Sequence, residues 1–158
     1  MESRHNKILL DSLYESYSWQ HYKKNKPIWA KKLKQPQKIK TLEGEITCHA
    51  GDYLCKGPAG DIWGQKEESL LKKYNPAYGS EPDKGGWQEF IPKPEAGGVM
   101  AAQVEFDFVI EHPTWGNMKG KSGDYLVKNY EDKDSQYPDD MWIVRNEIFK
   151  CTYELVNP

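Results

Sequence analysis

The sequence predicts an α+β, strand-rich fold: two tandem β-rich repeats, each closed by a short helix and preceded by an N-terminal helix. Three observations carry that expectation. Gly51-Asp52-Tyr53-Leu54 recurs as Gly123-Asp124-Tyr125-Leu126. Short runs alternate apolar and polar residues between glycine- and proline-rich turns, as half-buried strands do. Aromatic residues make up 13% of the 158, with six Trp and ten Tyr, which suits a packed core better than a disordered chain.

Taken in order, Ile8, Leu9, Leu13 and Tyr17 recur at helical spacing, so residues 4–19 read as an amphipathic helix. Pro27 to Lys31 reads as the first strand of repeat one, and Val99 to Gln103 as that of repeat two. Lys38 to Leu42 alternates as a strand and meets a turn at Glu43-Gly44; Phe106 to Ile110 is its counterpart. Gly51-Asp52 and Gly123-Asp124 are turns launching Tyr53-Leu54-Cys55 and Tyr125-Leu126-Val127. Gly57-Pro58-Ala59-Gly60-Asp61 turns the chain into Ile62-Trp63. Lys66 to Tyr74 and Arg145 to Tyr153 fit closing helices, with Leu70, Leu71 and Tyr74 matched by Ile148, Phe149 and Tyr153.

The internal match runs at an offset of 72 through Ala30/Ala102, Gly44/Gly116 and Lys56/Lys128, then at 79 through Trp63/Trp142, Glu68/Glu147 and Tyr74/Tyr153. The step between offsets implies a loop seven residues longer in the second copy, within the polar stretch Asn129 to Met141. The expected organisation is a helical segment at 1–25, repeat one at 26–75, a Pro/Gly-rich connection at 76–97 packing through Trp87 and Phe90, and repeat two at 98–158. A copy of about 50 residues is marginal on its own, so one pseudo-twofold domain is expected.

Twenty-two basic against 24 acidic side chains leave a net charge of −2, which argues against an extended nucleic-acid surface. No apolar run approaches the roughly 20 residues of a membrane helix. The polar start lacks a signal peptide's apolar stretch. Three cysteines without paired spacing point to a reducing, cytoplasmic setting.

The strings Thr41-Leu42-Glu43-Gly44, Gly51-Asp52-Tyr53-Leu54-Cys55-Lys56-Gly57, Gly60-Asp61-Ile62-Trp63 and Leu71-Lys72-Lys73-Tyr74 resemble the PGDYG family of small phage, prophage and bacterial proteins. The second copy is similar in its ending, Phe149-Lys150-Cys151-Thr152-Tyr153. Ala50 and Ser122 stand where the family's leading proline would be. The resemblance covers the two repeats, not residues 1–24 or 76–97. It implies a fold and a phage-related setting, in the host cytoplasm if phage-encoded, and no reaction.

Asp52 and Asp124 are paired carboxylates by position, but Gly-Asp is also a turn pair whose carboxylate accepts backbone N–H groups. Cys48, His49 and Cys55 match no zinc spacing, and the second copy has Gly120, Lys121 and Val127 there, so no metal or cofactor is expected. Cys151 is expected to pack in the closing helix. Residues 23–40 carry eight Lys and no acid around Trp29. That pattern suits a solvated strand edge, a phosphate-bearing ligand, or less readily a nucleic acid. The candidate ligand residues are Trp29, Lys31, Tyr53, Lys56, Trp63, Lys66, Tyr125, Lys128, Trp142 and Arg145. Lysine and arginine would hold phosphates, and the rings would stack on a base. Duplication would supply two half-sites or one composite site. The functional expectation is a non-enzymatic binder that sequesters or senses a small anionic, nucleotide-like ligand in phage–host conflict. The alternatives are a module that inhibits or adapts a host protein through Trp and Tyr anchors, and a small hydrolase with an unrecognised site.

Overall fold

A computed structural model describes residues 4–42 and 44–156. Helix α1 (Arg4–Glu15) leads to strands β1 (Gln20–Lys24), β2 (Ile28–Lys32), β3 (Gln37–Thr41), β4 (Gly44–Cys48), β5 (Tyr53–Lys56) and β6 (Ile62–Gln65). Helix α2 (Glu67–Lys73) follows, then β7 (Tyr74–Pro76), β8 (Gln88–Pro92), β9 (Val99–Gln103), β10 (Phe108–His112) and β11 (Gly116–Gly120). Strands β12 (Tyr125–Asn129) and β13 (Met141–Val144), helix α3 (Asn146–Thr152) and β14 (Tyr153–Leu155) complete the chain. The protein is strand-rich α+β, and among the described residues no helix is long and apolar enough to cross a membrane.

Two compact units divide the chain: residues 25–96, and residues 1–24 together with 97–158. The 25–96 unit holds a five-stranded antiparallel sheet in the order β6-β5-β2-β8-β7 and the hairpin β3–β4. Ile28, Ala30, Cys55 and Phe90 point from one face onto Leu70 of α2 and Tyr74. The other unit holds a sheet in the order β13-β12-β9-β1-β14 and the hairpin β10–β11. Both of its faces are covered. Val99, Ala101, Tyr125 and Val127 meet Phe149 of α3 on one side. Ala102, Leu126, Met141 and Ile143 on the other meet Leu9, Leu10 and Leu13 of α1 together with Phe108, Ile110 and Met118 of the hairpin.

Several sequence expectations are corrected here. The helix expected over 4–19 ends at Glu15, because Tyr17 adopts a left-handed φ of 53° and the Ser18 N–H returns to the Leu13 carbonyl. Its buried stripe is Leu9, Leu10 and Leu13; Ile8 and Tyr17 are exposed. Residues 20–24, placed in the helical segment, form a strand, and the 76–97 connection contributes strand β8 with Phe90 buried. The strand expected at Phe106 begins at Phe108, leaving Phe106 exposed. The closing helices end at Lys73 and Thr152; Tyr74 and Tyr153 cap them and each opens a strand. Leu71 and Cys151 are exposed. Of the Glu43-Gly44 turn, Glu43 lies outside the described residues, as do residues 1–3 and 157–158 of the outer segments.

The register also moves one match. Ala30 lies opposite Cys55, and Ala101 lies opposite Val127. Ala101, not Ala102, therefore occupies the strand position of Ala30. The offset changes in the hairpin turn, where Thr41 pairs with Gly44 but His112 pairs with Gly116, one residue farther on.

Candidate functional site

Strand alternation sets the chemistry of the 25–96 sheet. Ile28 and Ala30 face α2, so Trp29 and Lys31 project from the opposite face of β2. Trp29 is the direct register partner of Lys56 in β5 and of Glu89 in β8. Directly opposed residues share a face, so Trp29, Lys31, Lys56 and Glu89 stand together on the side away from α2. Trp87 joins them just before β8. The Lys56 ammonium lies 4.4 Å from the centroid of the Trp87 ring, and that of Lys31 lies 5.0 Å from it. A lysine over an indole face is attracted by the ring quadrupole.

The loop ahead of β8 holds Trp87 in place. The Asp83 carboxylate accepts the Gly85 and Trp87 N–H groups at 2.8 and 3.0 Å, while the Asp83 N–H donates to the Trp87 carbonyl at 2.8 Å. This is an Asx-type turn. Gly86 takes a φ of 86° within it, and a Cβ there would press to 3.3 Å on the Lys31 stem. Glycine thus meets both the backbone conformation and the close approach of the lysine.

The remaining candidates are distributed elsewhere. Tyr53 and Trp63 share the opposite face of this sheet and pack on the core under α2. Tyr53 reaches Phe90 edge-on at 6.3 Å and donates its hydroxyl to Glu67 at 3.4 Å. Burial, then the Glu67 charge, raises the Tyr53 pKa. Lys66 precedes α2 and donates to Asp52 at 3.0 Å. In the other unit, Tyr125 is buried and stacks on Phe149 at 3.9 Å. Trp142 packs against both core clusters of that unit, and Arg145 precedes α3. Lys128 is 3% exposed and donates to the Ser135 carbonyl at 2.8 Å. It also lies 4.5 Å over the Trp19 ring, and burial pulls its pKa below the ordinary lysine value.

Three of the ten candidates, Trp29, Lys31 and Lys56, therefore converge. Trp87 completes the group, whereas its place in the Pro/Gly-rich connection predicts only a packing residue. A signal for it existed. Trp19-Gln20-His21-Tyr22 and Trp87-Gln88-Glu89-Phe90 share a Trp-Gln-x-aromatic pattern, displaced by 68 residues.

Asp52 and Asp124 close turns. Asp52 accepts the His49 N–H at 2.8 Å, and Asp124 accepts the N–H groups of Lys121 and Asn146 at 3.0 and 3.1 Å. Burial first, then the Asp52 charge, pushes the Cys48 thiol up to about 11, so it is protonated and a poor nucleophile at neutral pH. Among the described residues, no three His, Cys, Asp or Glu side chains gather where they could hold a metal ion. The converging face offers two ammonium groups, two indoles and one carboxylate. Such a set can hold an anion and stack on a ring.

No protein-family model matches the chain, and no significant match was found among curated proteins or solved structures.

Proposed function

We propose that the face formed by Trp29, Lys31, Lys56 and Trp87 binds a small anionic, ring-bearing ligand of nucleotide type, without turnover. The observation that carries this reading is the approach of two lysines to one indole, with a second indole on the same face. Lysine supplies point charge for phosphate, and indole supplies a flat apolar partner for a base. Glu89 on the same face could accept N–H or hydroxyl donors of the ligand, which would set specificity and disfavour a phosphate placed beside it.

The chain reads as a tandem duplication in which one copy left these four side chains partly accessible. Its PGDYG-like strings suggest a phage–host setting, where such a protein would sequester or sense a nucleotide signal. Calorimetric titration with a panel of mono-, di- and cyclic nucleotides tests the reading. Binding by the wild-type protein should weaken by about 1.5–3 kcal/mol in Lys31→Ala or Lys56→Ala, the scale of a charge-assisted hydrogen bond. Absence of heat with every nucleotide, or binding unaffected by both substitutions, would redirect the search to a protein partner.

A further inference from the structure

The two Trp-Gln-x-aromatic strands lie where the chain order would not put them. Strand β1 ends three residues before β2, yet it is inserted between β9 and β14. Strand β8 ends six residues before β9, yet it is inserted between β2 and β7. Each strand therefore leads its own copy in sequence and completes the sheet of the other.

Their surroundings correspond residue by residue. Tyr22 lies opposite Val99 and Leu155, while Phe90 lies opposite Ile28 and Pro76. Tyr22 meets Tyr125 edge-on at 6.4 Å and 78°; Phe90 meets Tyr53 at 6.3 Å and 83°. Lys128 sits over Trp19 at 4.5 Å, and Lys56 sits over Trp87 at 4.4 Å. The acceptor slot is also shaped for its strand. At Gly98, with φ 87°, a Cβ would fall 2.3 Å from the Tyr22 carbonyl oxygen, so a side chain there would displace β1.

We infer that the chain is a covalently fused, strand-exchanged pair of one smaller unit, and that the partner each copy is built to receive is the leading strand of a second copy. The connections after the two strands explain why exchange wins over folding back. Pro27 follows β1, and Pro92 and Pro94 bracket the end of β8. A residue ahead of proline is driven toward extended backbone, which opposes a tight reversal at Lys26, Ile91 and Lys93. A strand that cannot turn back onto its neighbour is free to pair elsewhere, which is the condition for domain swapping. Exchange within a single chain needs no second molecule, since fusion keeps the acceptor at high effective concentration.

The test uses the full chain carrying a specific protease site between the exposed residues Glu81 and Pro82, with Cys151→Ser removing the exposed thiol. Two cysteine pairs report the exchange. Lys23→Cys with Glu154→Cys links β1 to β14, and Asn75→Cys with Ile91→Cys links β7 to β8; both are register partners. Treatment of the folded protein with a short thiol crosslinker, followed by cleavage, should leave one full-mass band on a denaturing gel for either pair, because each link spans the cut. Without exchange, β1 would lie beside β7 and β8 beside β14. Lys23→Cys with Asn75→Cys would then crosslink within one fragment, and the first two pairs would yield two separate bands. That pattern overturns the inference, as would crosslinked dimers of the uncut chain. The two strands carry independent pairs, so one misfolded variant leaves the other as a test.

Discussion

Lys56 and Lys128 hold the same strand position and approach a tryptophan at nearly the same distance, yet their situations are opposite. In the 1–24 and 97–158 unit, α1 and the long segment after β12 close over the sheet, and Lys128 is buried against the Ser135 carbonyl. In the 25–96 unit, only the five-residue turn Gly57 to Asp61 separates β5 from β6, and Lys56 remains partly accessible beside Trp29, Lys31 and Trp87. A shared lysine–tryptophan pair is thus buried under one cover and left partly accessible without it. What a residue does here depends on what lies over it.

The sharpest contrast lies in the cores beneath the closing helices. Phe149 is stacked between Tyr125 at 3.9 Å and Tyr153 at 4.5 Å, with Tyr22 edge-on at 4.8 Å. Its counterpart Leu70 sits among Ile28, Ala30, Cys55 and Phe90. Phe149→Ala should cost about 3–5 kcal/mol and Leu70→Ala about 2–5 kcal/mol in denaturant melts, with the phenylalanine loss the larger because ring pairing adds to buried area. A smaller loss for Phe149 would show that the aromatic stack contributes no more than its area.

The lysine pair itself comes next. Lys128→Ala removes a buried donor from the Ser135 carbonyl and should destabilise by about 1–3 kcal/mol. Lys56→Ala should stay within about 0.5 kcal/mol, as a partly exposed cation does. Burial holds the Lys128 pKa down, so the cost of its charge is full at neutral pH. The unfolded chain binds that proton more tightly, and stability should therefore rise as pH climbs from the folded value toward the ordinary lysine value. Lys128→Met should lose this alkaline rise, which pH-resolved melts would read directly.

The smallest effect concerns the cover. Asp11 of α1 accepts hydrogen bonds from Tyr137 and Gln136 and pairs with Lys7 at 3.0 Å, and these contacts lower its pKa, Tyr137 foremost. Its contribution is present above the ordinary carboxylate value and disappears as pH falls through the lowered folded value. The stability gap between wild type and Asp11→Asn should accordingly be modest at neutral pH and close in acid. A gap that widens in acid would place the origin of the effect elsewhere.

Much of this arrangement was legible in residue order. Gly51-Asp52 and Gly123-Asp124 marked real turns because glycine reaches φ of 91° and 97° without strain and aspartate closes the loop on backbone N–H groups. The alternation of Ile28-Trp29-Ala30-Lys31 already placed Trp29 and Lys31 on one face. Trp87 was missed because it lies in a proline- and glycine-rich stretch, where periodicity is silent and a two-residue match is easily passed over. Tyr53, Trp63 and Tyr125 looked available by residue type, but burial is a property of neighbours rather than of type.

The sequence by itself determined the strand-rich class, the turns and the short closing helices, since each depends on local backbone preference and on the period of apolar residues. Tertiary structure alone decided that β1 pairs with β9 while β8 pairs with β2, and that Lys128 is buried while Lys56 is partly accessible. Antiparallel strands that share the Trp-Gln-x-aromatic residue pattern are interchangeable locally. Which of them meet is settled by the packing placed over them and by the connections, of which the local sequence shows only the prolines that oppose a tight reversal.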